Sequence, residues 1–472
     1  MINQQIENYK NEIIKTTQEL IQIPSTHSNS DDPSKPFGEN INKSLEYMLD
    51  LGNKLGFRTK NIDGYCGYIE FGEGDELIGI IGHLDVVPEG GNWTFPPFSG
   101  TISDNKIFGR GAIDDKGPVV SSLYAMKIVK DNYKINKRVR LILGLNEERD
   151  WQCINYYKEH EELPTIGFSP DADFPCIYAE KSLLTCNLTS DLTSDYSNVQ
   201  NPDIQIIQID CNNNAINVVP KFCSVIIKIN SDKINMNEFT QKLKTIIDRH
   251  QYEIDIYQID NNKVKLTSHG IPSHAAHPDM GINAISRLLI VTDRIFKYYD
   301  SKLEILDFFK DYIGTEYNGE SLKINFEDES GKLTLNVGNV ELKNNILKIG
   351  MNLRVPVTTD ISKVTNSFIF LISNYKNIEF NVINHMPSLY ISKDNYLVKT
   401  LCNIYNEETN SNLEPIAIGG ATFARAFDNC ISFGANLPGN KDMCHQTDEF
   451  VDIDNLILAC RIYARTILEL GK

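Results

Sequence analysis

No stretch of this chain approaches the roughly 20 consecutive apolar residues of a membrane-spanning helix, so no membrane association is expected. A basic cluster is also missing. Lys and Arg number 46 against 63 Asp and Glu, a formal net charge of −17, which argues against nucleic acid as a partner. No C-x-x-C pair occurs among the ten cysteines. They are scattered, and several, such as Cys223 and Cys460, sit in apolar runs. That is the usage of buried free thiols in a reducing compartment, not of a disulfide framework. The opening residues Met1-Ile2-Asn3-Gln4-Gln5-Ile6-Glu7 carry no basic region followed by an apolar one. A secretory signal is not expected, and the expected location is cytoplasmic. Internal repeats and low-complexity tracts are absent, apart from Asn-rich loops at Asn212–Asn214 and Asn261-Asn262.

What is present is length and apolar content. At 472 residues and 41% hydrophobic the chain can build real cores, in roughly two to four domains. Residues 3–22 and 39–55 have helical apolar spacing, and apolar strands fall near 65–71, 76–82 and 138–145. A helical pattern follows Pro118. Strands alternating with helices predict an α/β fold: a mixed, mostly parallel sheet flanked by helices. Near residue 187 the pattern changes. Strands are expected at 204–210, 216–230, 252–260, 263–268, 333–341 and 346–355, and helices at 283–298 and 360–374. The α/β pattern returns near 387. The expected layout is a discontinuous catalytic domain, 1–186 and 387–472, with an inserted α+β domain at 187–386.

Acid and His clusters follow the strands or sit on Gly-rich turns. Gly82-His83-Leu84-Asp85 closes the apolar run Leu77–Ile81. Residues i and i+2 of a strand share a face, so Asp85 is placed to steady the His83 ring, as a metal-binding His requires. A structural His at a strand end is the alternative. Asp114-Asp115 follows Gly109-Arg110-Gly111, and an Asp there can equally cap a helix. Asn146-Glu147-Glu148 follows the strand Leu141–Leu145; adjacent carboxylates at a buried strand end call for a compensating cation. Asp171 and Asp173 lie in Pro170–Pro175, and His445 follows the Gly434–Gly439 loop. Two imidazoles and three carboxylates, one of them shared, can give each of two metals three protein ligands and leave positions open for water. Mixed N and O donors suit zinc, and also manganese or cobalt.

The order and wording of these clusters resemble the co-catalytic zinc peptidases that include aminoacylases, dipeptidases and desuccinylases, and among them the branch of bacterial dipeptidase V. The resemblance spans about residue 8 to 470, and its specific pieces are GHLDVVPEG, Trp93–Phe98, GRGAIDDKGP, NEERDWQC, FSPDADFP, SHAAHPDMGINA, GGATFAR, FGANLPG and CHQTDEF. The resemblance implies that His83, Asp114 and Asp171 hold one metal and that Asp114 bridges to a second, held also by Glu148 and His445. It implies that Asp85 orients His83 and that Glu147 is the general base for a metal-bridging water. In the insert, which would act as a lid, it implies that His274 stabilises the oxyanion. It assigns Asn217 and Arg354 to the substrate's C-terminal carboxylate, and Gly419, Gly420 and Thr422 to a loop bordering the substrate.

The chain departs from the family pattern at Arg149-Asp150, where small residues are usual, and at Asn212-Asn213-Asn214-Ala215, where glycine is frequent. The implied activity is a metal-dependent dipeptidase acting on small peptides. An N-acyl amino acid deacylase and a catalytically silent peptide-binding relative are the alternatives. The long insert points to a monomer rather than a homodimer.

Overall fold

The computed structural model describes residues 2–197 and 202–472. The chain forms two compact units. One comprises Met1–Ala179, Leu389–Ala417 and Ala421–Lys472; the other comprises Glu180–Ser388 and Ile418–Gly420.

The first unit is α/β. Its nine-stranded sheet runs Arg58–Ile62, Cys66–Phe71, Arg138–Gly144, Leu77–His83, Ile166–Ser169, Cys430–Ser432, Ile177–Glu180, Leu389–Tyr390, with Ile416–Ile418 beside Ile177–Glu180. Every residue of Leu77–His83 is buried, as a central strand covered on both faces requires. The four central strands, from Arg138–Gly144 to Cys430–Ser432, pair in parallel. Arg58–Ile62 with Cys66–Phe71, Cys66–Phe71 with Arg138–Gly144, and Cys430–Ser432 with Ile177–Glu180 are antiparallel. Leu77 pairs with Arg138 and His83 with Gly144, so these two strands end at the same edge. Helices Lys116–Asn132 and Ile453–Leu470 each bury a broad apolar face. The Asp452 carboxylate caps the second by accepting the N–H groups of Asp454 and Asn455. A small sheet joins Thr101–Ser103, Lys106–Phe108 and Phe450–Asp452.

The second unit is α+β, with two four-stranded sheets. One is Thr334–Lys343, Ile346–Val355, Ser182–Asp191, Glu379–Met386; the other is Ile204–Asp210, Phe222–Ile229, Lys263–His269, Ile254–Gln258. Both are antiparallel throughout. The chain passes into this unit between Ala179 and Glu180, not at the 186/187 position read from the change in pattern. The strand Ser182–Asp191 pairs along its whole length with Ile346–Val355, and so belongs to this unit. A helix that the pattern did not single out, Met236–His250, buries Phe239, Leu243 and Ile247, four residues apart on one face. They join a core that includes Leu266, Phe296, Phe308 and Phe368.

Among the described residues no helix is long and apolar enough to cross a membrane. All ten cysteines are free, and all but Cys444 are buried.

Candidate active site

The parallel strands end at one edge, and the segments leaving that edge carry the acids and imidazoles. Ligands in open α/β sheets sit outside the carboxyl ends of the strands. His83 is the last residue of its strand. Glu147 and Glu148 follow Arg138–Gly144, Asp171 follows Ile166–Ser169, and the loop to His445 leaves Cys430–Ser432.

Asp114 lies between two imidazoles. Its Oδ1 is 3.0 Å from Nε2 of His83, and its Oδ2 is 3.1 Å from Nε2 of His445. Nε2 of His83 is also 3.6 Å from Asp171, and Nε2 of His445 is 3.1 Å from Glu148. His83–Asp114–Asp171 and Asp114–Glu148–His445 each present three donor atoms lying within 4.8 Å of one another. A third such group is His83–Glu147–Glu148. His83, Asp114, Glu147, Glu148, Asp171 and His445 are therefore brought together.

Asp85 takes a different position from the one strand alternation implied. The strand stops at His83, so Asp85 lies beyond the pleat. The backbone carbonyl of Asp85 accepts from Nδ1 of His83 at 3.0 Å, which leaves Nε2 to face the cluster. The Asp85 carboxylate is 3.5 Å from Nδ1, and its closer partners are backbone donors. It accepts the N–H groups of Glu147 and Glu148, both at 3.1 Å. Asp85 thus orients His83 mainly through its main chain and holds the Glu pair with its side chain.

Asp115 precedes the helix Lys116–Asn132, but its side chain makes no capping hydrogen bond. Its Oδ2 instead accepts the backbone N–H of His83 at 3.1 Å. Gly82 makes room for that contact: a Cβ there would lie 2.5 Å from Oδ2 of Asp115. Asp173 is a loop partner, accepting from Asn436 at 2.7 Å. Arg149 and Asp150 are exposed, which places neither beside the buried cluster.

The charges in the cluster are strongly perturbed. Burial pushes Glu147 well above the usual carboxylate range; His83 opposes this, and Asp171, Glu148 and Asp114 add to it. Burial also raises Glu148 and Asp171. Burial would raise Asp114 too, but contacts with His445 and His83 outweigh it and hold it below the usual range. Hydrogen bonds to Asp114 and Glu148 push His445 up to about 11.

In the second unit, Asn217 and His274 lie on adjacent segments. Val218 bridges to His274, and the N–H of Ala275 donates to the carbonyl of Asn217 at 2.8 Å. Both side chains are exposed. Asn212 and Asn213 have φ of 55° and 51°. Asparagine tolerates this left-handed region, so these residues take the conformations a glycine would supply. The Asn214 amide locks the loop by donating to the carbonyls of Ala215, Val218 and Gly338. Buried Arg354 donates from Nη1 to the carbonyl of Gly419 at 2.7 Å, so its guanidinium and the Gly419-Gly420 turn are neighbours. Thr422 follows that turn. It is buried, its hydroxyl lies 2.6 Å from that of Ser432, and it caps the short helix Phe423–Ala426.

Residues 79–469 match the model of peptidase family M20/M25/M40. The chain belongs to this family. A curated relative from Bacillus subtilis (strain 168), named "Putative dipeptidase YtjP", is 38% identical over 467 residues, covering 98% of each chain. Human carnosine dipeptidase 1 has a similar fold, with a TM-score of 0.58 at 13% identity, covering 100% of this chain and 98% of its own. The M20 family metallo-carboxypeptidase Sso-CP2 of Sulfolobus solfataricus has a TM-score of 0.56 at 18% identity, covering 97% and 98%.

The protein is thus a metallopeptidase of the M20/M25/M40 family, and its donor set fits the group such an enzyme needs. Among the described residues, no Lys or Arg pairs with Asp114, Glu147, Glu148 or Asp171; the ion-pair partners present are the two imidazoles. A buried cluster of acids of this kind is compensated by bound cations. Sequence reasoning assigned no role to Glu449, although it lies within the quoted CHQTDEF segment. It is fully buried against the Asp114 loop. An isolated acid beside Asp448 gives no sequence signal of burial.

Proposed function

We propose that the protein is a metal-dependent dipeptidase acting on dipeptides with a free C-terminal carboxylate. The observation that carries this reading is the division of Asp114 between two imidazoles, Oδ1 toward His83 and Oδ2 toward His445. His83, Asp114 and Asp171 would hold one divalent ion, and Asp114, Glu148 and His445 a second, with zinc the preferred metal for this donor set. When bound, the ions polarise the scissile carbonyl and acidify the attacking water. Glu147 accepts the proton of that water and returns it to the departing amine. A positioned carboxylate beside the reacting water suits both tasks. Asp85 keeps Glu147 in place through the backbone N–H. His274 is assigned to the oxyanion, and Arg354 and Asn217 to the substrate carboxylate, for which the planar guanidinium is suited. Gly419 and Gly420 form the adjoining turn. The dipeptidase name of the Bacillus subtilis relative supports the substrate class.

The deciding experiment is a hydrolysis panel with zinc, manganese and cobalt, with and without chelator. It compares dipeptides, tripeptides, C-terminal amides, and N-acetyl and N-succinyl amino acids. Dipeptides are expected to be cleaved, the amides poorly, and chelator to abolish the activity. Faster turnover of the acylated amino acids would make the protein a deacylase, and a metal-loaded protein inert on every substrate would make it a binder. Glu147→Ala is expected to lower kcat by about 10²–10⁴-fold, and unchanged hydrolysis would exclude it as the base.

A further inference from the structure

Glu449 immediately precedes the strand Phe450–Asp452, which pairs with Lys106–Phe108, Phe450 opposite Phe108. That pairing delivers its side chain to the loop that leaves Phe108 and carries Asp114. The carboxylate is fully buried and holds four donors. Its Oε2 accepts from the N–H of Gly111 at 3.0 Å and from Nη1 of Arg110 at 2.6 Å. Its Oε1 accepts from the N–H of Ile113 at 3.0 Å and of Asp114 at 3.3 Å. The main-chain carbonyl of Glu449 also accepts from the N–H of Gly109 at 2.9 Å. Both side-chain oxygens are thus committed to the protein, which leaves Glu449 outside the donor set around Asp114.

Arg110 carries the arrangement further. It is buried, and its second arm, Nη2, donates to the carbonyls of His445 and Glu89 at 3.4 Å and of Pro88 at 3.5 Å. The guanidinium lies over the Trp93 ring, 5.3 Å from its centroid. One ion pair therefore touches the main chain at Asp114 through Glu449 and at His445 through Arg110. Asp114 and His445 are far apart in sequence, yet the side chains of both belong to one candidate metal position.

We propose that the buried Arg110–Glu449 pair is a positioning device that fixes Asp114 and His445 relative to each other, and so sets the affinity of the metal position they share. The inference rests on the metal-dependent reading above. Charge-assisted hydrogen bonds in a buried network are short and costly to rearrange, so the pair acts as a rigid brace. His445 belongs to this position alone, whereas Asp114 belongs to both.

The test titrates metal-stripped wild type, Glu449→Gln and Arg110→Lys with Co²⁺, following visible absorption and ions bound per chain. Wild type is expected to bind two ions. Glu449→Gln, which turns an amide donor toward N–H groups, is expected to bind one of them at least about tenfold more weakly, the lower end of losses seen when ligand-orienting groups are removed. Its half-maximal dipeptide hydrolysis should need correspondingly more metal, and saturating metal should restore most of kcat with KM little changed. Arg110→Lys keeps the charge opposite Glu449 but loses the second arm. It is expected to weaken the same ion, and it decides the matter if Glu449→Gln does not fold. Wild-type cobalt affinity and spectrum in both variants would overturn the inference, as would lost activity with both ions bound normally. A wild type that takes up no divalent ion would overturn the metal-dependent reading itself, and this inference with it.

Discussion

The carboxylate of Asp85 accepts the backbone N–H of Glu147 at 3.1 Å, while the carbonyl of the same residue accepts from the His83 ring at 3.0 Å. One residue thus serves an imidazole with its main chain and the proposed general base with its side chain. Asp85→Asn keeps the carbonyl contact but turns an amide toward the Glu147–Glu148 N–H groups. It is expected to lower kcat about 10–100-fold while both metals stay bound. His83→Ala should lose one of the two. Metal content after dialysis, measured beside kcat, separates the cases; equal metal loss in both variants would contradict this division of labour.

The pH dependence of the metal-free protein follows from the shifts in the cluster. Contacts with Asp114 and Glu148 raise His445 from 6.5 to about 11. Burial opposes charging of His83, but hydrogen bonds with Asp114, Asp171 and Asp85 overcome it and raise His83 well above 6.5. Burial raises Glu147, Glu148 and Asp171. All five bind protons more tightly folded than unfolded. Their stabilisation is complete below the unfolded values, 3.8 to 6.5, and is lost as pH rises through the folded ones. Asp114, shifted downward, loses its contribution only below 3.8, outside the range of interest. Metal displaces the ligand protons and supplies the missing positive charge. The gap in Tm between metal-loaded and stripped protein is therefore expected to widen from about pH 5.5 to about pH 8.5. A narrowing gap, read by calorimetry, would contradict this.

Gly82 carries no side chain because the next layer is too close. A Cβ would meet Asp115 Oδ2 and Val119 Cγ2, both at 2.5 Å. Gly82→Ala is expected to destabilise by about 1–3 kcal/mol, the usual cost of overpacking a tight core. By displacing the carboxylate that holds the His83 N–H, it should also weaken metal binding. Denaturant unfolding and metal titration of the same variant would check both effects.

The Asn-rich turn before Asn217 makes a sharper case. Asn212→Gly should be nearly neutral, whereas Asn212→Val, forced to φ near 55°, should cost roughly 1–2 kcal/mol. If both variants match wild type in unfolding and in KM, the left-handed turn is not a constraint on this unit.

Much of this was legible along the chain. The run Leu77–Ile81 and the strand Leu141–Leu145 predict central strands because each is apolar, short and followed by an acid or His. The helix Met236–His250 was harder to see. Its apolar positions Phe239, Leu243 and Ile247 are separated by Thr240-Gln241-Lys242 and Lys244-Thr245-Ile246, and only packing in the second unit shows the stripe to be a buried face. The strand Ser182–Asp191 continues the pattern that precedes it, and only its pairing with Ile346–Val355 assigns it to the second unit. Thr422 belongs to a motif matching a substrate-bordering loop, and only the tertiary structure shows its hydroxyl lying against that of Ser432.

Residue order is enough to single out His83, Asp114, Glu148, Asp171 and His445 as candidate ligands, because donor types at strand ends and the motifs around them are local properties of the chain. The same local information says nothing about distances between segments far apart in sequence. Parallel register brings the ends of Leu77–His83 and Arg138–Gly144 to one edge. Asp114 then divides its oxygens between two imidazoles, and Asp85 adds a closer main-chain contact to its side-chain one with His83. Glu449 carries no signal of its own in the sequence, and strand pairing buries it against Arg110. Burial and pairing across the fold make that carboxylate a fixed anchor, and neither exists before the chain closes on itself.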